Sequence, residues 1–347
     1  MGIWYTTREK VKARLDISAT ARIDALVDDA IDAASAPIEG CLHRRFYPEL
    51  ATRYFDWPNY QYARTFRLWL ESSEAISLSQ LVSGGVTILA SDYFLRRSDG
   101  LDEPPYDSIE IDLASSAAFG SGSTHQRSIA ATGLFGFDDT SAPAGALAEA
   151  LDSSETAVDV TNAALVGVGN IVKCESERMI VTDRAQLDTG QDLIGTIAAD
   201  KAVVSLTVAD GTALHVGETL LLDSERMQVI DIAGNVLTVK RAVDGSVLAA
   251  HTNSSIYAPR TLTVTRGALG TTAAAHADTT ALTRYVVPAA VDAWARALAI
   301  DTLLQESSGY ARMVGSGDNE REASGRALKI AAQRAEAQYG RVRLAAI

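Results

Sequence analysis

The chain has 347 residues, of which 47% are hydrophobic and 22% charged, and this ordinary globular composition excludes an intrinsically disordered protein. Its length suits two or three domains rather than one core. No uncharged apolar run approaches the ~20 residues of a membrane span, and no apolar stretch follows the charged N-terminus, so neither a membrane helix nor a signal peptide is expected.

The negative charge is concentrated in the middle of the chain. The net charge is −13, and residues 1–50 carry −1, 51–137 carry −4, 138–286 carry −9 and 287–347 carry +1. A surface as negative as that of residues 138–286 repels phosphates, so we do not expect that segment to hold DNA by counterion release. Cys41 and Cys174 are expected to be free, buried thiols in a reducing compartment, although their number alone also permits one disulfide.

The first predicted element is an amphipathic helix. Its apolar residues recur every three or four positions from Ile23 to Leu42, opposite an aspartate-rich face that we interpret as solvated. Pro37 is expected to kink or end this helix. A small antiparallel sheet is predicted next, because short runs rich in β-branched or aromatic residues alternate with turn formers. These runs are 52–57, 65–70, 76–81, 86–89, 93–97, 108–113 and 128–134.

Internal repeats follow a predicted linker at 138–151. Ser-Glu-Arg-Met occurs at 176–179 and again at 224–227, and a second repeat relates 237–251 to 262–276. The order along the chain is therefore unit A, unit A′, unit B and unit B′. Alternating apolar residues and Gly, Asp or Asn turns predict a strand-rich domain with internal pseudo-symmetry. Helical periodicity returns after Pro288 and predicts helices over 289–305 and 320–339.

The sequence contains no recognisable catalytic or ligand-binding motif. A GxSxG elbow and a Walker-type phosphate loop are absent, and the five histidines lack metal-ligand spacing. His251 and His276, which occupy equivalent repeat positions, are interpreted as hydrogen-bonding residues at a recurring turn. The pairs Glu177–Arg178 and Glu225–Arg226 are expected to face outward. Four acidic residues crowd one loop and could hold a hard cation such as Ca²⁺, but EF-hand spacing is absent. We expect no catalytic residue, no cofactor and no metal. The four acidic residues are Asp99, Asp102, Glu103 and Asp107.

The sequences flanking the repeats carry motifs in a characteristic order. They are IEGCLHRRFYPE (38–49) followed by TRYFDW (52–57), SGGVTILASDYFLRR (83–97), PPYDSIEID (104–112), IAATGLFGF (129–137) and VPAAVDAWARALA (287–299). In this order they resemble the head-to-tail connector (adaptor) family of long-tailed bacteriophages. The resemblance covers about residues 15–137 and 287–312. The family usually has only a few residues where this chain has 138–286.

The resemblance implies a structural virion protein and not an enzyme. In that family about twelve copies form a ring at the neck of the virion, beneath the portal protein of the capsid vertex. The C-terminal helix and tail dock on the portal, the opposite face receives the next neck, stopper or tail protein, and double-stranded DNA passes through the lumen without sequence-specific binding. Assembly in the host cytoplasm, without a membrane partner, is expected. The residues predicted to dock on the portal are Lys329, Arg334, Tyr339, Arg341 and Arg343.

The predicted fold class is α+β. Residues 1–137 and 287–347 are expected to form a helical connector core with a small antiparallel sheet, and 138–286 an inserted all-β repeat domain that lies outside the DNA channel. One alternative is a tail, baseplate or decoration protein whose β-repeat domain is a binding module. Tyr257 and Tyr285 are the only aromatic residues of 150–286, which argues against a glycan platform. Another alternative is a hydrolase without a recognisable motif.

Overall fold

A computed structural model describes residues 2–15, 21–57, 64–307, 313–314, 321–322 and 326–341. Four α-helices lie within these ranges: α1 (Arg8–Leu15), α2 (Ala21–Leu42), α3 (Ala289–Ser307) and α4 (Arg326–Tyr339). The strands are β1 (Glu49–Phe55), β2 (Arg67–Trp69), β3 (Ala75–Ser83), β4 (Val86–Ile88), β5 (Tyr93–Arg96), β6 (Ser108–Ile111), β7 (Ile129–Phe135), β8 (Ser141–Ala146), β9 (Ala157–Asp159), β10 (Ile171–Cys174), β11 (Glu177–Asp192), β12 (Thr196–Ile197), β13 (Ser205–Thr207), β14 (Thr219–Leu222), β15 (Glu225–Ala233), β16 (Val236–Lys240), β17 (His251–Thr252), β18 (Ser255–Thr265), β19 (Ala281–Tyr285), β20 (Met313–Val314) and β21 (Arg321–Glu322).

The prediction of a helical connector core is wrong, because sheets dominate the flanks as well as the middle of the chain. Strands β1 to β7 form one four-stranded sheet, in the order β1-β7-β3-β4, and one three-stranded sheet, in the order β2-β6-β5. Each predicted run overlaps one of these strands. The two sheets share an apolar core, into which β7 directs every second residue from Ile129 to Phe135. The α+β description therefore holds only in part.

The four helices pack beside these sheets rather than forming the core alone. Helix α2 lies against α3, and α3 lies against α4. Pro37 was expected to kink or end α2, and the helix does not end there but continues to Leu42. The physical reason is that Ile38 and Leu42 are fully buried. Burying two such side chains contributes about 3 to 6 kcal/mol, which offsets the ~3 kcal/mol cost of an interior proline. No helix in the described ranges is long and apolar enough to span a membrane.

The repeat region forms an antiparallel sheet of ten strands and a separate two-stranded sheet of β12 and β17. The order of the larger sheet is β13-β16-β15-β14-β18-β11-β10-β19-β8, and β9 also pairs with β18. Two separate apolar cores lie along this sheet. The outer lobe is built from residues 144–181 and 262–282, and the inner lobe from 193–258. The inner lobe is therefore inserted into the outer lobe, and β18 contributes buried residues to both cores.

Residues 138–151 do not form the predicted linker, because they contain β8, an edge strand paired with β19. Proline and glycine, which suggested a linker, are tolerated at the edge of a sheet. Several contacts fix the sheet to the flanks. The hydroxyl of Tyr285 donates a hydrogen bond to the carbonyl of Phe46. The backbone N–H of Val168 donates to a carboxylate oxygen of Glu9 at 3.0 Å.

The expectation of two buried thiols holds for only one cysteine. Both cysteines are free, but Cys41 is exposed and Cys174 is buried. Cys41 lies on the outer side of α2 because its neighbours Ile38 and Leu42 take the buried stripe. Burial, followed by the nearby carboxylates of the β10–β11 turn, raises the pKa of the Cys174 thiol to about 11.

Candidate functional site

The residues predicted to dock on the portal fall into two groups. Lys329 and Arg334 are exposed on α4. Tyr339 and Arg341 are instead engaged by the rest of the chain, and Arg343 lies outside the described residues. Of the predicted set, only Lys329 and Arg334 are seen to present their charges to solvent.

Tyr339 belongs to an aromatic cluster that joins the two flanks of the chain. Its ring centroid lies 5.7 Å from that of Phe46 and 5.3 Å from that of Phe137, both edge to face. Phe46 and Phe137 are themselves 5.5 Å apart, and Tyr5 lies 5.7 Å from Phe46. Edge-to-face pairs at such distances stabilise a core beyond their buried area. Tyr339 is therefore part of the core rather than a free docking residue.

Arg341 closes a small charged network beneath this cluster. Its Nη1 donates to the carbonyl of Glu71 at 2.9 Å and lies 3.6 Å from the carboxylate of Glu74. Glu74 also pairs with Arg44, whose Nε lies 2.9 Å from it. Burial raises the pKa of Glu74, and the two arginines oppose that rise. Arg341 thus compensates a buried carboxylate of its own chain.

Each Ser-Glu-Arg-Met repeat starts in a two-residue hairpin turn, between β10 and β11 and between β14 and β15. Glu175 and Asp223 open these turns with a φ of 51°. The prediction that the pairs Glu177–Arg178 and Glu225–Arg226 face outward is wrong for both glutamates, which are 0% exposed, and for Arg178, which is 6% exposed. Side chains alternate along a strand, so each glutamate shares the buried face of the methionine two residues later.

The buried carboxylate of Glu177 accepts hydrogen bonds from Arg266 and His276. We call these three residues the outer Glu–Arg–His cluster. Arg266 donates to the two carboxylate oxygens from Nε at 2.7 Å and from Nη2 at 2.9 Å. Nε2 of His276 lies 2.9 Å from one of these oxygens. The backbone N–H groups of Gly267 and Ala274 donate to the same carboxylate at 2.9 and 3.1 Å.

The inner lobe contains the same arrangement, the inner Glu–Arg–His cluster (Glu225, Arg241 and His251). Arg241 donates to Glu225 from Nε at 2.9 Å and from Nη2 at 2.6 Å, and Nε2 of His251 lies 3.0 Å away. The backbone N–H groups of Ala242 and Ala249 donate at 3.0 and 2.9 Å. The two clusters therefore match donor by donor.

The clusters are suited to holding the fold together and not to reaction chemistry. Burial alone would raise the pKa of Glu177 and Glu225, but hydrogen bonds from arginine, histidine and backbone N–H groups outweigh it and hold the pKa of each at about 2. Five donors share the two oxygens of each carboxylate, so no lone pair remains to bind a metal or to accept a proton near neutral pH. Each cluster ties a hairpin turn to a segment distant in sequence.

The repeats pair in a nested order that the sequence did not reveal. Unit A contacts unit B′ in the outer cluster, and unit A′ contacts unit B in the inner one. A further buried pair also went unpredicted: Arg260 donates to Glu218 at 2.9 and 2.8 Å. At the repeat offsets these positions correspond to Tyr285 and Asn170, so comparing the repeats gave no signal for the pair.

The acidic loop considered for Ca²⁺ does not converge on one point. Asp107 is buried and accepts a hydrogen bond from the backbone N–H of Ser98 at 2.9 Å. Asp99 pairs with Arg97 at 2.8 Å. Within the part of the chain that the structure describes, no group of three or more His, Cys, Asp or Glu side chains is arranged to hold a metal ion.

A cleft of about 450 Å³ lies between α1 and the repeat region, and residues of both lobes line it. We call it the basic cleft, because seven basic side chains line it against three acidic ones. Several apolar residues also line it, including Leu165, Val243 and Pro259. The basic residues are Arg8, Lys10, Lys12, Arg184, Arg226, Lys240 and Arg284, and the acidic ones are Glu9, Asp24 and Asp244.

Comparisons with protein-family models, with curated proteins and with solved structures give no match for this chain.

Proposed function

We propose that this chain is a structural subunit of a phage head-to-tail connector, which forms a ring between the portal and the downstream neck or tail protein. The observation that carries the proposal is the meeting of the resembling motifs in one core. Phe46, Phe137 and Val287 come from three of these motifs, which are widely separated in sequence, yet all contribute to the same apolar cluster. That convergence is expected of motifs that specify one common scaffold.

The close fit of this core supports the proposal. Gly136 of the IAATGLFGF motif has a φ of +138°, and a Cβ on it would lie 2.3 Å from the carbonyl oxygen of Tyr47. Only glycine fits there, which gives a physical reason for the Gly-Phe dipeptide of the motif. The cluster also includes Trp294, from the helix that follows Val287. The repeat region begins after Phe137 and ends near Tyr285, and both of these residues lie next to this core.

A structural role is also supported by the state of the buried polar groups. The two completely buried carboxylates, Glu177 and Glu225, are saturated by internal donors. An acidic protein of net charge −13 repels phosphates, so it is better suited to a conduit through which DNA passes than to a site that binds DNA tightly.

The direct test is the native mass and negative-stain appearance of the purified protein, alone and mixed with its portal protein. The proposal expects closed rings of about twelve subunits. A strict monomer that does not bind portal would contradict it and would favour a tail, baseplate or decoration protein.

A further inference from the structure

We infer that the basic cleft receives the acidic loop 99–103 of the next copy of this chain, an inference that rests on the proposed ring. A ring built head to tail needs two different surfaces that complement each other. The basic cleft and this loop are complementary in charge, and they lie far apart on one chain.

The loop offers a short acidic segment with an apolar residue in it. Leu101 is 51% exposed, and the side chain of Glu103 is 69% exposed. Asp102 is exposed as well. Arg97 pairs with Asp99 at 2.8 Å and also lies 3.9 Å from Glu103, whereas Asp102 has no ion-pair partner among the described residues, so Asp102 supplies the free negative charge that a partner would meet.

The cleft offers the matching surface. Four of its seven basic residues are already neutralised within the chain, Arg8 by Asp28, Lys10 by Asp292, Lys12 by Asp24 and Arg184 by Glu9. Lys240 and Arg284, by contrast, have no ion-pair partner among the described residues. They provide positive charge beside the apolar residues of the cleft, where the exposed Leu101 and the adjacent carboxylate of Asp102 fit.

The two surfaces lie at opposite ends of α2. Asp24, near the start of α2, lines the basic cleft. At the other end, the carbonyl of Leu42 accepts a hydrogen bond from the backbone of Arg341, which lines one cavity together with Asp99. At 1.5 Å per residue, Asp24 and Leu42 are about 27 Å apart. The loop therefore cannot fill the cleft of its own chain. When the loop of one copy fills the cleft of a second copy, the cleft of the first and the loop of the second remain free to contact further copies.

The test is a charge swap read by native mass spectrometry at low and high salt. Lys240→Glu alone and Asp102→Lys alone should each raise the concentration needed for ring assembly at least tenfold, and the double variant should restore assembly. Raising the salt concentration should weaken wild-type assembly, because exposed ion pairs are screened. Lys201→Glu and Glu149→Lys, which reverse exposed charges elsewhere, should leave assembly unchanged. Circular dichroism should confirm that each variant is folded.

Three results would overturn the inference in distinguishable ways. Rings that form equally well in both single variants would reject this contact while leaving the connector proposal intact. A wild-type protein that stays monomeric, even with portal, would reject both. Failure of the double variant to restore assembly, with both single variants impaired, would show that Lys240 and Asp102 do not meet.

Discussion

At the scale of single residues, the buried glutamates carry the clearest energetic consequences. Glu225 is completely buried and bound by Arg241, His251 and two backbone N–H groups. Removing one partner of a buried ion pair leaves the other charge uncompensated, which costs about 3 to 5 kcal/mol. Much of the stability of each lobe thus depends on a single carboxylate.

Replacing Glu225 with glutamine tests this dependence. Glu225→Gln should lower the free energy of unfolding of the inner lobe by about 3 kcal/mol, because Arg241 would stay buried without its counter-charge. Urea titration followed by circular dichroism measures the change. Glu149→Gln, at an exposed position, is the matched control and should change the free energy by less than about 0.5 kcal/mol. An equal, small effect of both substitutions would contradict the assigned role of Glu225.

The same residues predict how stability depends on pH. The pKa of Glu177 and Glu225 is about 2 in the folded protein, below the ordinary value of 4.5. Their stabilisation is therefore complete above pH ~4.5 and is lost as the pH falls toward ~2. Urea unfolding at a series of pH values should show a steep loss in this window. The double variant Glu177→Gln and Glu225→Gln should show a shallower slope there, and an unchanged slope would count against the low pKa values.

At the scale of elements, sequence patterns predicted the helices and strands that depend on residues close together in the chain. Short runs rich in β-branched or aromatic residues located β1 to β7, and periodic apolar residues located α2 and α3, whereas β20 and β21 were not predicted and β21 falls within the helix predicted over 320–339. The nested pairing of the repeats was not predictable in this way, because Glu177 and Arg266 are 89 residues apart and no local spacing records their contact. The continuation of α2 beyond Pro37 also depends on tertiary contacts, because burial of Ile38 and Leu42 outweighs the local preference of proline.

The nested arrangement predicts that the inner lobe is dispensable for folding of the outer one. Asp192 and Ser255 are paired across β11 and β18, so residues 193–254 can be replaced by an Asn-Gly turn. Arg260 would be changed to methionine in the same protein, because its partner Glu218 leaves with the lobe. The shortened protein should unfold cooperatively in urea with a smaller m-value, since less surface becomes exposed. A non-cooperative transition would contradict the independence of the outer lobe.

At the scale of the whole molecule, the candidate docking surface differs from the predicted one. Sequence periodicity identified α4, but it did not reveal that Tyr339 packs on Phe46 and Phe137 or that Arg341 pairs with Glu74, because these contacts join segments far apart in the chain. The aromatic cluster also explains how a long repeat region is accommodated: its two ends lie beside one core.

The proposed portal contact can be tested with the two exposed charges. The double variant Lys329→Glu and Arg334→Glu should bind portal at least tenfold more weakly, because two favourable charge interactions would become repulsive. Lys201→Glu is the control. Truncation after Arg341 removes Arg343 while keeping the contacts of Tyr339 and Arg341, so it measures the tail separately. Portal affinity unchanged in the double variant, measured by surface plasmon resonance, would exclude this face of α4 as the docking surface.

The insertion of one lobe into the other also bears on the order of events during synthesis. The inner cluster joins Glu225 and Arg241, only 16 residues apart, whereas the outer cluster joins Glu177 and Arg266 across 89 residues. Closing a short loop costs less entropy than closing a long one. In addition, the ribosome has already synthesised both Glu225 and Arg241 at a time when Arg266, the partner of Glu177, has not yet been made. The inner lobe should therefore be the first part of this region to fold on the nascent chain, and the outer lobe should close around it.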